Sequence, residues 1–385
     1  VRQGRLIYLD FNATTPVAPE VREAILDSFD LAWANPSSEH LPGRLARRAV
    51  EEARGQVARL LGCDPEEIVF TSGGTESDNL AIVGVAEALA ERGRHIVLSS
   101  VEHPAVEQPC RALERRGFEI TRVGVDGRGV VDPAAVERAI RPDTILVSIL
   151  HAQNETGALE PVEAIGRIAR SRGIPFHTDA AQSVGKIPVN VEEIGCDLLT
   201  VAGHKLYAPK GVGALYVRRG TPFVPLLRGA PQERGRRPGT ENVAGIVGLG
   251  AACALASAEL PARKERMEIL RDRLERALVR EIGDLVVHAS KAERLPNTLS
   301  VAIPGAPADA MLEAVEAVAV SAGAACHSAG VEPSLVLLAM GVPVELARCT
   351  LRFSVGRTTT EEDVEEAAIR VAAAAERVRA ASRKA

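Results

Sequence analysis

The chain has 385 residues, 46% of them hydrophobic and 25% charged, with a formal net charge of −5. Length and composition describe a globular protein of roughly two to three domains. The missing basic excess excludes an electrostatic nucleic-acid footprint. No apolar run is read as approaching the roughly 18 residues of a membrane span.

The first residues, VRQGRLIYLDFNATTP, lack the apolar core of a signal peptide. Six cysteines stand far apart, at positions 63, 110, 196, 253, 326 and 349. None forms a CxxC or zinc-ribbon spacing, so no metal site and no disulfide framework is expected. A reducing cytoplasm is the expected setting.

In chain order, short apolar β-branched runs appear at Ile68-Val-Phe, His95-Ile-Val-Leu, Thr144–Leu150, Phe176–Asp179, Asp197–Val201 and Gly213–Val217. They predict strands buried on both faces. Helices are predicted between them at Glu76–Arg92 and at Val162–Ser171, with glycine stops at Gly93 and Gly173. This alternation predicts an α/β unit with a mostly parallel sheet. A long helical region follows over 244–281, interrupted or bent near Pro261. Beyond it, strands near 285–288, 298–303 and 351–355 alternate with helices at Ala308–Glu316, Pro333–Met340 and Glu361–Arg379. They predict a smaller α+β unit. The expected division is 16–255 for the large unit, with 1–15 and 256–385 forming the small one.

Chemistry-bearing residues fall at the predicted strand ends, where ligands bind in such sheets. Gly74 and Thr75 in TSGGTESDN open a helix after a strand. Free N–H groups there can hold a phosphate, although a plain capped helix start reads equally well. His103 in SSVEHPAV can stack on a flat ring and move protons as a catalytic residue, or be structural. Asn154 in HAQNETG can hydrogen-bond a ring substituent or a carboxylate, or simply sit in a turn. Asp179 and Gln182 lie in HTDAAQ, and His204 and Lys205 in GHKLYAPKGVG. A lysine after a buried strand can lose its proton and form a Schiff base, although most lysines in that place are ordinary surface residues. Paired with an aspartate able to face a pyridinium nitrogen, it meets the requirements of pyridoxal 5′-phosphate (PLP).

Taken together, YLDFNATTP (8–16), TSGGTESDN (71–79), EHPAV (102–106), NETG (154–157), HTDAAQSVGK (177–186), GHKLYAPKGVGALYV (203–217), RPGTEN (237–242), SAGAACHS (321–328) and LRFSVGRTT (351–359) resemble the PLP-dependent cysteine desulfurase and selenocysteine lyase family. The resemblance covers nearly the whole chain. It implies the PLP fold type I, aspartate aminotransferase-like, with a large sheet domain and a small C-terminal domain. It implies that Lys205 carries the cofactor, Asp179 faces the ring nitrogen, Gln182 meets the ring hydroxyl and His103 stacks on the ring. Gly74, Thr75 and His204 resemble phosphate ligands. Thr240 resembles a phosphate contact given by the second subunit, which implies a homodimer. Asn154 and Arg352 resemble the groups that grip the substrate carboxylate, a task suited to a planar guanidinium. One departure is Ala202 before Gly203-His-Lys, where the family often carries serine, so one phosphate hydroxyl is missing.

Cys326 lies in a run of small residues, which suits an exposed, reactive thiol. By resemblance it takes sulfur from L-cysteine as a persulfide and leaves L-alanine. A sulfur-acceptor protein is then implied as a partner. The plain charged helix Glu361–Ala385, without the extended tail of housekeeping iron–sulfur desulfurases, leaves general cysteine desulfurase first. Selenocysteine lyase stands second. An aminotransferase of the same fold, or a colourless binding protein, would be the readings from other classes.

Overall fold

The computed structural model describes residues 5–322 and 333–382. The N-terminal half runs β1 (Ile7–Tyr8), α1 (Pro19–Leu31), α2 (Leu41–Leu61), β2 (Ile68–Thr71), α3 (Gly74–Ala88), β3 (His95–Ser99), α4 (Pro104–Glu114), β4 (Glu119–Val123), α5 (Pro133–Ala139), β5 (Thr144–Ser148), α6 (Val162–Ser171), β6 (Phe176–Asp179), α7 (Val191–Ile194), β7 (Leu198–Ala202) and β8 (Gly213–Val217). After it come α8 (Val243–Ile282), β9 (Val286–Val287), β10 (Thr298–Ala302), α9 (Ala308–Ala314), β11 (Val318–Ala319), α10 (Leu335–Ala339), α11 (Val344–Arg348), β12 (Thr350–Ser354) and α12 (Glu361–Ser382).

Seven strands form one sheet in the order β2-β8-β7-β6-β5-β3-β4. β8 runs antiparallel to both its neighbours, and the other pairings are parallel. Six strands therefore end on the same edge. The alternation of side chains along each strand builds two cores. On β3, Val97 joins one face with Phe176 and Leu199, against Val57, Ile246 and Leu249. Its neighbours Ile96 and Leu98 join the other, against Leu80, Ile82, Val85 and Val106. Both faces are covered, which is why these strands read as unbroken apolar runs.

The small unit packs β10 between β12 and β9, all antiparallel. Its core joins Ile7 and Leu9 from the N-terminus to Leu270, Leu274, Phe353 and Val371. The chain thus crosses back on itself, and α8 contributes to both cores.

Three sequence expectations need correction. α8 continues through Pro261 without a break in helical assignment. Its packing on α1, α2 and α12 outweighs the lost backbone bond. The first part of α8 is also long and apolar enough by composition to cross a bilayer, with a mean hydropathy of 1.8 over 18 residues. That window is 44% buried inside the protein, so it serves as a core helix. Finally, β4 was not anticipated. It is an edge strand with only Val123 buried, and its Glu119 and Arg122 hide the apolar pattern.

Candidate active site

The common edge of the six strands opens into a cavity of about 500 Å³, within the range of small-molecule sites. β2 delivers the start of α3 to it. Gly73 has φ +151, a conformation that favours glycine. A Cβ on Gly74 would stand 3.2 Å from that of Ala202, so the helix start lies against β7. The first intrahelical bond runs from Ser77 N–H to Gly73 O. The preceding amides of Gly74 and Thr75 are left to a ligand.

β7 delivers His204 and Lys205. Lys205 Nζ donates to the backbone carbonyl of Asn12, and to that of Ala13 at 3.0 Å. Burial, and then the nearby charge of Arg352, push its pKa down to about 8. A useful fraction of the amine is therefore unprotonated near neutral pH. His204 Nδ1 lies 3.2 Å from Thr14 Oγ1. Burial and the charges of Lys205 and Lys210 push its pKa down to about 4. It is a neutral imidazole in the working range.

Asp179 ends β6, and its Oδ1 accepts from Ala181 N–H at 2.9 Å. Burial raises its pKa, while the backbone bond, His103 and Lys205 oppose the rise. A buried carboxylate in this position is stabilised by a cationic partner. His103 caps α4, its Nδ1 accepting from Ala105 N–H at 3.1 Å. That bond leaves the proton on Nε2 in the neutral ring. Burial also lowers its pKa.

From the small unit, β12 delivers Arg352. Its Nη2 donates to Asp10 Oδ1 at 2.6 Å and its Nη1 to the Asn154 carbonyl at 3.1 Å. Its Nε is buried without a partner. An unpaired buried donor of a charged group is costly unless a ligand satisfies it. The Asn154 side chain lines the same cavity.

The family model for class-V aminotransferases matches residues 7–367. The chain belongs to the class-V aminotransferase family. It is 49% identical over 362 residues to "Cysteine desulfurase IscS" of Dictyoglomus turgidum, covering 94% of this chain and 92% of that one. It is 50% identical over 365 residues to the protein of the same name from Anaeromyxobacter dehalogenans, covering 94% and 90%. Among solved structures, a "NIFS-LIKE PROTEIN" superposes with a TM-score of 0.90 at 37% identity, covering 96% of this chain and 98% of that one.

The cavity of this class-V aminotransferase fits PLP on its own chemistry. It holds a half-buried amine of lowered pKa, a buried carboxylate that wants a cation, and free amides at a helix start. PLP carries an aldehyde, a ring nitrogen and a phosphate to match these three.

Gly74, Thr75, His103, Asn154, Asp179, Gln182, His204, Lys205 and Arg352 all line this one cavity. Thr240 does not. It is exposed and lines a separate recess with Thr71, Ser72 and Arg237. Cys326 lies outside the described residues. The flanks of its segment both reach the cavity. Ser321 exchanges backbone hydrogen bonds with Arg352, and Ser334 donates to Glu155 Oε2 at 2.5 Å.

Sequence reasoning missed Asn12, Lys186, Asp10 and Asp78. Asn12 is 1% exposed and ties together five segments of chain. Its carbonyl accepts from Lys205 and Gln182, its Oδ1 from Lys186 and Asn297, and its Nδ2 donates to Thr298 and the Asn154 carbonyl. Asp78 lies under the cavity with Oδ1 unpartnered, 3.6 Å from His177 Nε2. Burial and the charge of Asp179 raise its pKa well above the carboxylate range. Asn12 and Asp10 sit in YLDFNATTP and Asp78 in TSGGTESDN, so the motif boundaries were the available signal.

Proposed function

We infer that this protein is a PLP-dependent cysteine desulfurase, converting L-cysteine to L-alanine and passing its sulfur to Cys326. The observation that carries the reading is one cavity holding Lys205, with its pKa near 8, the buried carboxylate of Asp179 and an Arg352 whose Nε is unsatisfied. When bound, PLP supplies an electrophilic aldehyde and an electron sink. Lys205 is assigned the covalent link and the proton at the substrate Cα. Asp179 keeps the ring nitrogen protonated. The amides of Gly74 and Thr75 and the neutral His204 hold the phosphate, and the missing serine at Ala202 leaves one contact fewer. Arg352 and Asn154 orient the substrate carboxylate. The Cys326 thiolate would form a bond to the substrate sulfur as the carbon–sulfur bond breaks. The electron pair would pass to the electron sink the cofactor supplies, protonation at that carbon would complete L-alanine, and Cys326 would be left as a persulfide. A reducing compartment suits that step, because the thiol must be free to attack.

We further propose a homodimer with Thr240 reaching the partner's phosphate site. Its position outside its own cavity supports this. So do the exposed apolar side chains of Phe29 (60%), Leu31 (70%), Trp33 (70%) and Leu41 (60%), which follow one another in sequence from the end of α1 to the start of α2. The division of units we propose lies inside α8, with 16–255 on one side and 1–15 plus 256–385 on the other; the contribution of α8 to both cores supports it. A sulfur-acceptor protein is the expected macromolecular partner.

The test is release of alanine and sulfide from L-cysteine in the presence of a reductant. Cys326→Ala should lose it while keeping the visible colour of the bound cofactor, and Lys205→Ala should lose both. Full release of alanine and sulfide by Cys326→Ala would overturn the passage of sulfur through Cys326, whereas transfer of the amino group without sulfide would leave an aminotransferase.

A further inference from the structure

We propose that Lys186 is a positioning residue that sets the sense of the Gln182 amide, so that a hydrogen-bond donor faces the cofactor's ring oxygen. This rests on the reading above, in which Gln182 meets that oxygen. Lys186 is 5% exposed, at the end of HTDAAQSVGK. Its Nζ donates to Gln182 Oε1 at 2.7 Å and to Asn12 Oδ1 at 2.9 Å. Among the described residues it has no carboxylate partner, so it is a buried amine held by two neutral oxygens.

The geometry leaves the amide one orientation. Gln182 Nε2 donates to the Asn12 carbonyl at 3.0 Å. That same carbonyl accepts from Lys205. Turning the amide over would set its NH2 against the N–H groups of Lys186 and its oxygen against the Asn12 carbonyl. The oxygen-to-carbonyl contact would be repulsive in a dry site, and so would the NH2 contact with the ammonium form of Lys186. The second N–H of Gln182, which meets no acceptor among the described residues, is left for the cavity. Asn12 is equally constrained, with both ends of its amide engaged.

A donor next to the ring oxygen favours its deprotonated form, because a hydrogen bond to the charged form stabilises it. One proton is shared between the ring oxygen and the lysine–cofactor nitrogen. The PLP-loaded enzyme absorbs in the visible when that proton is on the nitrogen and in the near ultraviolet when it is on the oxygen. The spectra are therefore compared at a pH where the proton is retained. Without Lys186 only the Asn12 carbonyl holds the amide, so the penalty for turning it over and offering its oxygen is reduced. The resting spectrum therefore reports this role without any turnover.

The experiment compares absorption spectra of substrate-free holoenzyme at one fixed pH. Lys186→Met should lower the ratio of visible to near-ultraviolet absorbance about fivefold, the shift that one net hydrogen bond produces. Lys186→Gln supplies an amide donor and should restore most of the ratio. Gln182→Leu should reproduce the loss with Lys186 intact, and a wild-type ratio there refutes the proposal even if Lys186→Met does not fold. A wild-type ratio in Lys186→Met or in Gln182→Leu would refute the proposal, as would an equal loss in Lys186→Gln. Failure of the underlying reading is separate: the wild-type enzyme would then be colourless, or Lys205→Ala would remain yellow.

Discussion

Removing the Glu233 carboxylate should be among the costliest single changes in this protein. Glu233 and Arg54 form an ion pair with both side chains 3% exposed. Glu233 accepts from Arg54 Nη1 and Nη2 at 2.8 Å each, and from Phe70 N–H at 2.8 Å. Arg54 also donates to the Ile68 carbonyl at 2.9 Å and lies over the Phe70 ring. Burial acts to lower the Arg54 pKa, but the bonds and charge of Glu233 outweigh it and the net shift is upward. The pair thus pins β2, which leads into the start of α3, to the loop that carries Thr240. Two residues of that loop, Glu233 (φ 47) and Arg234 (φ 56), are left-handed without being glycine. Each such residue costs about 1–3 kcal/mol and persists only when its surroundings enforce it.

Glu233→Ala removes the buried partner of Arg54 and leaves its guanidinium only the half-exposed Glu51, 3.1 Å from Nε, a loss toward the lower end of about 3–5 kcal/mol. That is a large part of a typical total of about 5–15 kcal/mol. Urea unfolding followed by circular dichroism measures it, and limited proteolysis should show new cleavage within 230–240. The double variant Arg54→Met/Glu233→Leu should recover most of the loss, because no charge is then stranded. Arg234→Gly relieves one left-handed residue and gives up a half-exposed ion pair to Glu51 at 3.6 Å, so it should be neutral or stabilising. A cost below about 1 kcal/mol for Glu233→Ala would refute the reasoning, since it falls short of a single buried charged partner.

Other outcomes follow from the same structure. The Lys205 ammonium is disfavoured in the fold, so the unfolded chain binds the extra proton between about pH 8 and 10.5. Stability of the cofactor-free protein should rise with pH across that window. Lys205→Met should remove about 3 kcal/mol of the rise, and identical pH profiles would contradict the assignment. Arg352→Lys should raise KM for L-cysteine by about 10- to 100-fold, the worth of a lost charge-assisted bond; an unchanged KM would remove Arg352 from the carboxylate site. In α6, a Cβ on Gly166 would stand 2.0 Å from the Ile194 carbonyl oxygen. Gly166→Ala should therefore cost about 1–3 kcal/mol in thermal or urea unfolding, whereas a stabilising effect would show that the α6–α7 contact is loose.

What sequence alone determined is local. A strand buried on both faces must be apolar throughout, so Ile68–Phe70, Phe176–Asp179 and Gly213–Val217 declare themselves. The residues just past them must serve a ligand or a turn, which places Lys205, Asp179 and His103 at one edge. Tertiary structure decided what depends on distant partners. Lys186 and Asn12 are 174 residues apart and meet in one dry network. Arg54 and Glu233 are 179 apart. Pro261 stays helical because three helices hold α8 in place. Thr240 belongs to a motif, yet faces away from its own cavity. Propensity and periodicity act over one or two turns of chain, whereas desolvation and pairing act through space, and no spacing rule encodes those.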